Sequence, residues 1–248
     1  KKIKVKENEA LFRFSGGDAR KLLNILELIV ANETSDTINV SNQMVQDKLQ
    51  DKLTLYDKNG EQHYDIISAF IKSIRGSDPN GSIYWLARMI EGGEDIKFIA
   101  RRLVILASED IGNANPTALV MANTCFEAVS KIGFPEGRII LGQCTTYLAS
   151  SAKSNASYEA INLAQQAVRE HGDLPVPLHI RNAPTKLMKE LGYGKDYAYS
   201  HGYEGNFKAQ EYLPEKLMGT RFYSPGNNER ENALRRSLKA KWRDKYGY

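Results

Sequence analysis

Between residues 61 and 171 the apolar residues recur at helical spacing in six consecutive stretches, each bounded by Gly, Pro, Asn or Asp. In EQHYDIISAFIKSIRG the apolar positions are 67, 70, 71 and 74, and the pattern stops at Gly76. DPNGSIYWLARMIEGG offers Asp78 as a cap, Pro79 at the first helical position and a glycine pair as its end. DIKFIARRLVILASEDIG is apolar over more than one face, which predicts a central helix. Residues 116–132 open with Pro116 and gather Leu119, Ala122, Cys125, Phe126 and Val129. Residues 135–151 open with Pro135 and gather Ile140, Cys144, Tyr147 and Leu148. Residues 154–171 begin at a Ser154 cap and present Tyr158, Ile161, Ala164 and Val168. Amphipathic helices joined by connections this short stack antiparallel, so the pattern predicts an all-α fold and excludes a doubly wound sheet.

The flanks differ. Toward the N-terminus, Arg20 to Val30 is a helix with Leu22, Leu23, Ile25, Leu26 and Ile29 on its apolar face, and DTINVSNQMVQDKLQ reads as a short helix capped by Ser41. Beyond residue 172 the chain is rich in Gly, Pro and Tyr, with one short helix at 184–191 ended by Gly192. It is too aromatic for a disordered linker and is expected to wrap over the helical body with its tyrosines packing as they run. No repeat or low-complexity tract is visible.

Composition sets further bounds. With 248 residues, 42% of them apolar, there is material for one or two domains with a real core. No apolar run reaches the ~18 residues of a membrane helix. The basic N-terminus lacks the apolar core of a signal peptide, and the missing initiator Met leads us to expect a piece of a longer chain. Cys125 and Cys144 lie in apolar helical patterns without metal-ligand spacing, which reads as buried free thiols in a cytoplasmic protein.

Charge is concentrated at the ends. The net charge is +4, yet residues 1–6 hold four lysines and no acid, and residues 227–248 hold seven Lys/Arg against three acids, so the body is mildly acidic. The basic tail, with Trp242, Tyr246 and Tyr248, has two readings. It could touch phosphates and stack on bases, or it could be a solvated helix whose aromatics dock on the body; the second is favoured.

Local chemistry is sparse. A phosphate-binding loop requires G-x-x-x-x-G-K-[ST] between strand and helix; Gly194-Lys195 is followed by Asp196 and preceded by no strand. LVILASED imitates the strand that carries a magnesium-binding aspartate, but it continues the helical pattern from Phe98 through Arg101 and Arg102. Glu109 and Asp110 then point about 100° apart and make a poor acid–base pair. His63, His171, His179 and His201 stand at no ligand spacing, and no metal site is expected. No Ser-His-acid set can be assembled. HIRNAPTKLMKE either presents Arg181, Lys186 and Lys189 to phosphate or a DNA backbone, or is a loop in which Asn182 caps the helix behind Pro184. A DNA-contacting role would draw on Lys186, Lys189, Arg235, Arg236 and Lys241.

SGGDARKLLNILE, from residue 15, is a good helix start that also suits an anion. It resembles the sensor-2 turn of AAA+ ATPases, which lies in the helical lid and directs an arginine at the γ-phosphate. DIISAFIKSIRGSDPNGSIYWLARMIEGGED, RRLVILASEDIGNANP, AKSNASYEA and LHIRNAPTKLMKELGYGKDYAYSH look much like the C-terminal half of the RarA/MgsA family. These are replication-associated recombination ATPases whose eukaryotic member is the Werner helicase-interacting protein. The resemblance covers nearly the whole chain and is weakest over residues 1–8 and after Pro225.

The resemblance implies an AAA+ lid with associated helices at 1–76 and a clamp-loader-collar-like helical oligomerisation domain at 77–248, ending in a long irregular segment. It implies Arg20 as nucleotide sensor, with Gly16, Gly17 and Asp18 shaping its turn. It also implies a homotetramer that meets DNA, single-stranded-DNA-binding protein and replisome components in the cytoplasm, at the nucleoid. ATP and Mg²⁺ would serve the full-length protein. This chain, without Walker elements or an arginine finger, is expected to bind neither and to be inactive alone. A stand-alone DNA-binding or partner-docking module is the alternative. Independently of the family, Trp85, Phe98 or Tyr147 is read either as a subunit contact or as ordinary core packing, and the latter is favoured.

Overall fold

The computed structural model describes residues 1–15, 19–31, 33, 35, 37–53 and 61–248. The chain opens with a short strand, β1 (Lys2–Val5), followed by α1 (Glu9–Ser15) and α2 (Ala19–Ala31). Strand β2 (Thr37–Val40) then pairs in parallel with β1, with Lys2 opposite Thr37 and Val5 opposite Val40. The sequence pattern marks only the helix that follows Ser41 and no strand before it. Thr37-Ile38-Asn39-Val40 alternates with a period of two, and its β-branched Ile38 and Val40 point inward at 1% and 0% exposure. Helix begins only after Ser41, whose Oγ accepts from the Met44 N–H at 3.2 Å and so starts α3 (Asn42–Leu53). Leu11, Ile25, Ile29, Ile38, Val40 and Val45 close around one another as a first core.

The second core is larger and belongs to the six patterned stretches. They form α4 (Glu61–Arg75), α5 (Pro79–Glu91), α6 (Ile96–Leu106), α7 (Thr117–Ile132), α8 (Gly137–Ser150) and α9 (Ala156–His171). Asp78 caps α5 as expected, accepting from the N–H groups of Asn80 and Gly81. Helix α6 is central: Ile99, Ala100 and Leu103 are fully buried, flanked by Phe70, Ile74, Leu141 and Leu148 from its neighbours. Each such aliphatic or aromatic side chain contributes about 2 kcal/mol by leaving water. Ser154 accepts from the Ala156 N–H at 3.3 Å at the head of α9, although Asn155 holds the cap position itself.

LVILASED is helical, as its periodicity requires, but α6 does not run on regularly. Residues Ala107–Ile111 form a π-helical turn, and Gly112 ends it at φ 47°. From 172 to 228 the chain runs as short 3₁₀ turns around one small helix, α10 (Lys186–Glu190), before α11 (Glu229–Trp242) closes the fold. The cap of α10 is Thr185, not Asn182: Thr185 takes the extended backbone a cap needs and its hydroxyl accepts from the Met188 N–H. Among the described residues no helix is long and apolar enough to cross a membrane.

Candidate functional site

Arg20 lies on the first turn of α2 with its side chain exposed, and its turn residues Gly16, Gly17 and Asp18 fall outside the described residues. Its guanidinium lies against the α7–α8 connection: a Cβ on Gly133, which adopts φ 74°, would stand 2.8 Å from Arg20 Nη1. A cation from the first core thus reaches the backbone of the second.

A polar cluster joins the end of α4 to the π-helical turn. Arg75 Nε donates to Asp110 Oδ1 at 2.5 Å and Nη2 to Glu109 Oε1 at 3.1 Å. The bond to Asp110 raises the Arg75 pKa above its ordinary value. Both acids are therefore occupied by one guanidinium, which removes them as an acid–base pair more firmly than their angular separation did. Beside them Lys153 Nζ donates to the carbonyls of Leu148, Ala149 and Ser151 and to Ser77 Oγ, at 2.6 to 3.1 Å. Burial pulls this ammonium below its usual pKa, partly opposed by Asp110. The Ser154 N–H donates to the Asp110 carbonyl at 2.8 Å, so α4, the π-turn and the α8–α9 connection are tied at one point. A cleft of about 390 Å³ opens there between Arg75, Lys153 and Tyr158. A second cleft, of about 700 Å³, lies across the turn, where Asn115 Nδ2 donates to Tyr147 OH and Ser151 Oγ. Neither holds a nucleophile aligned with a base, and the cluster acts as a clamp.

Among the described residues, the aromatics of the basic tail pack against the irregular segment that precedes it, not against the helical body. Trp242 packs edge-on against Phe207, Tyr212 and Tyr246 with ring centroids 5.2 to 6.3 Å apart. Lys245 pairs with Glu211 at 3.0 Å, and Arg221 donates to the Gly247 carbonyl at 2.6 Å. At its other end α11 is anchored by Glu231, fully buried, which accepts from Asn228 Nδ2 at 2.6 Å. Of the basic residues marked by the sequence, Arg235 is turned inward onto the carbonyls of Pro225 and Gly226. Arg236 and Lys241 stay exposed, as do Lys186, which pairs weakly with Glu190, and Lys189. Arg181 stacks on Tyr193 and donates to the Val176 carbonyl.

Trp85, Phe98 and Tyr147 are half-buried against the second core. Cys125 and Cys144 are both buried and free, and the Cys144 thiol is pushed up by its hydrogen bond with Cys125 and by burial. His179 and His201 bond to Glu211 O and Asn206 Oδ1. Among the described residues no group of three or more His, Cys, Asp or Glu could hold a metal ion.

Residues Arg75, Lys153 and Glu231 escaped the sequence reading. The acids that hold Arg75 lie 34 and 35 residues away, which no spacing announces. Lys153 turns back onto nearby main-chain carbonyls, and Glu231 stands three residues after the Asn228 cap, a capping spacing that went unread.

Compared with known proteins, residues 76–242 match the family described as MgsA AAA+ ATPase C terminal, and residues 1–75 match AAA C-terminal domain. The chain is 47% identical over 231 residues to replication-associated recombination protein A of Coxiella burnetii, covering 92% of this chain and 52% of that protein. The protein of the same name from Escherichia coli K12 is 39% identical over 233 residues, again 92% of this chain and 52% of the relative. The ATPase WRNIP1 of Dictyostelium discoideum is 38% identical over 234 residues, covering 87% of this chain and 27% of the relative. The chain thus spans about half the length of the bacterial relatives it matches.

Proposed function

The chain belongs to the MgsA family of AAA+ ATPases, and on that premise we propose that it is the lid and tetramerisation part of a DNA-dependent ATPase in replication-fork maintenance, recombination and repair. Arg20 is the observation that carries the reading. It is an exposed cation on the first turn of the thirteen-residue α2, within the segment that matches an AAA C-terminal domain. There it can sense the γ-phosphate of ATP–Mg²⁺ held elsewhere in the complete protein, while the helical body assembles copies of itself. Assembly is supported by Val120 on α7, Ile139 on α8 and Ile161 and Val168 on α9, exposed by 55 to 63%. Apolar side chains left in water on three successive helices favour a covering partner, and the partner proposed is a second copy. DNA, single-stranded-DNA-binding protein and replisome components complete the proposed set of partners.

The test is Arg20→Ala in the complete protein. DNA-stimulated ATP turnover is expected to fall at least about tenfold, the loss of one charge-assisted contact to the transferring phosphoryl group, with the fold unchanged by circular dichroism. Unimpaired turnover would refute the sensor role. A second reading, in which the chain binds DNA by itself, is favoured by the exposed tyrosines of residues 197–203.

A further inference from the structure

We propose that Tyr197, Tyr199, His201 and Tyr203, rimmed by Lys208 and the cationic end of α11, form a stacking surface for single-stranded nucleic acid; the proposal rests on the DNA reading above and locates it. The three tyrosines are 46%, 64% and 43% exposed within seven residues of chain. Among the described residues none of their hydroxyls makes a hydrogen bond, so no hydroxyl partner accounts for their position. The segment is nevertheless pinned at one point. Ala198, between the first two rings, is gripped from both sides by Gln210, whose Oε1 accepts from its N–H at 3.2 Å while Nε2 donates to its carbonyl at 2.8 Å. With that main chain fixed, the side chains on either side are carried outward on a preformed scaffold. Tyr199 leans on His201, ring centroids 5.3 Å apart, and Lys208 Nζ sits 5.2 Å from the Tyr203 ring.

The fold then brings up charge from 35 residues away. Lys245 Nζ bonds the Gln210 carbonyl at 3.4 Å, and Lys241 Nζ lies 5.9 Å from the ring of Phe207, next to Lys208. Lys239 and Arg243 are exposed on the same end of α11. Aromatic faces beside ammonium groups are the combination that binds an unpaired strand: bases stack on the rings and phosphates meet the cations. A duplex hides its base faces and fits the surface poorly. Asp196 and Glu204 share the strip with the cations, so stacking carries more of the affinity than phosphate pairing, and the fall of affinity with salt is shallow.

The experiment measures binding of labelled oligothymidine, oligouridine and a DNA duplex of equal length to the 248-residue chain by fluorescence anisotropy at several salt concentrations. Oligothymidine or oligouridine should bind more tightly than duplex, the tighter of the two naming the source of the strand. The double variant Tyr199→Ala, Tyr203→Ala should lose roughly tenfold in single-strand affinity, with an unchanged melting curve. Tyr199→Phe, which keeps the ring, should bind like the parent. Parent-like affinity in the double variant would overturn the stacking surface while leaving DNA binding intact. A parent chain that binds neither strand nor duplex would overturn the DNA reading itself, and this surface with it.

Discussion

The helical body and the irregular segment that follows it, called the wrap, are stabilised by different physics. In the body, α4 to α8 bury aliphatic and aromatic side chains almost completely, Phe70, Ile99, Leu103 and Leu141 among them at 0% exposure. In the wrap, from residue 172 onward, no large apolar side chain is fully buried, and order comes from aromatic edges, bonds to main-chain carbonyls and single ion pairs. Burial is non-directional and accumulates over a whole helix face. Bonds of the second kind are specific, and each contributes only about 1 kcal/mol. The body should therefore unfold as a unit, and the wrap should loosen piecemeal.

The largest effect that separates the two is Phe70→Ala against Phe207→Ala. Removing the fully buried Phe70 should cost about 3–5 kcal/mol in urea unfolding. Phe207, half-buried against Trp242, should cost about 1 kcal/mol and shift Trp242 emission before the helical signal melts. Equal costs in a single transition would erase the distinction.

Next is the contact between the cores. Gly133→Ala forces a left-handed backbone on alanine and drives its Cβ against Arg20, so a loss of about 1–2 kcal/mol is expected. Adding Arg20→Ala should recover part of that loss, and a double-mutant cycle in thermal unfolding measures how much. Strict additivity would show that Arg20 does not bear on the α7–α8 connection.

The smallest effect concerns pH and is confined to the wrap. Burial works against the Glu211 carboxylate, but the N–H groups of Leu213 and Tyr212 and the Lys245 ammonium outweigh it and hold its pKa below the ordinary value. Burial likewise opposes the Lys245 charge, and its bonds to Glu211 and Tyr246 prevail and raise its pKa. The depressed carboxyl stabilises docking above its unfolded pKa of about 4.3 and ceases to as pH falls through the folded value. The raised ammonium stabilises below its unfolded pKa of about 10.4 and ceases to as pH rises through the folded one. Trp242 emission should accordingly hold steady from about pH 5 to about pH 10 and shift outside that window. A transition near neutrality would point to a different anchor.

The same contrast explains what could be read from the chain. The six helices between 61 and 171 were legible because apolar residues recur every three or four positions and Asp78, Pro79 and Gly76 punctuate them. Strand β2 was not, since four residues are too few for a period-two alternation to stand out and the strand they pair with lies 35 positions earlier. The tail's aromatics were legible as packing groups, though not that they pack on the segment before α11 rather than on the body. Neither the Gln210 grip nor the Arg75–Asp110 clamp was legible. Those join residues 12 and 35 positions apart, and nothing periodic marks them. The tyrosines of 197–203 were expected to pack as the segment ran; the fold instead leaves them 43 to 64% exposed, beside the cations of α11.

The central claim is that the exposed apolar helices of the body serve self-assembly, and the mass of the chain in solution tests it most directly. Light scattering at micromolar concentration should report about four times the 27.9 kDa of one chain. A mass of 27.9 kDa, held as the concentration is raised, would contradict it.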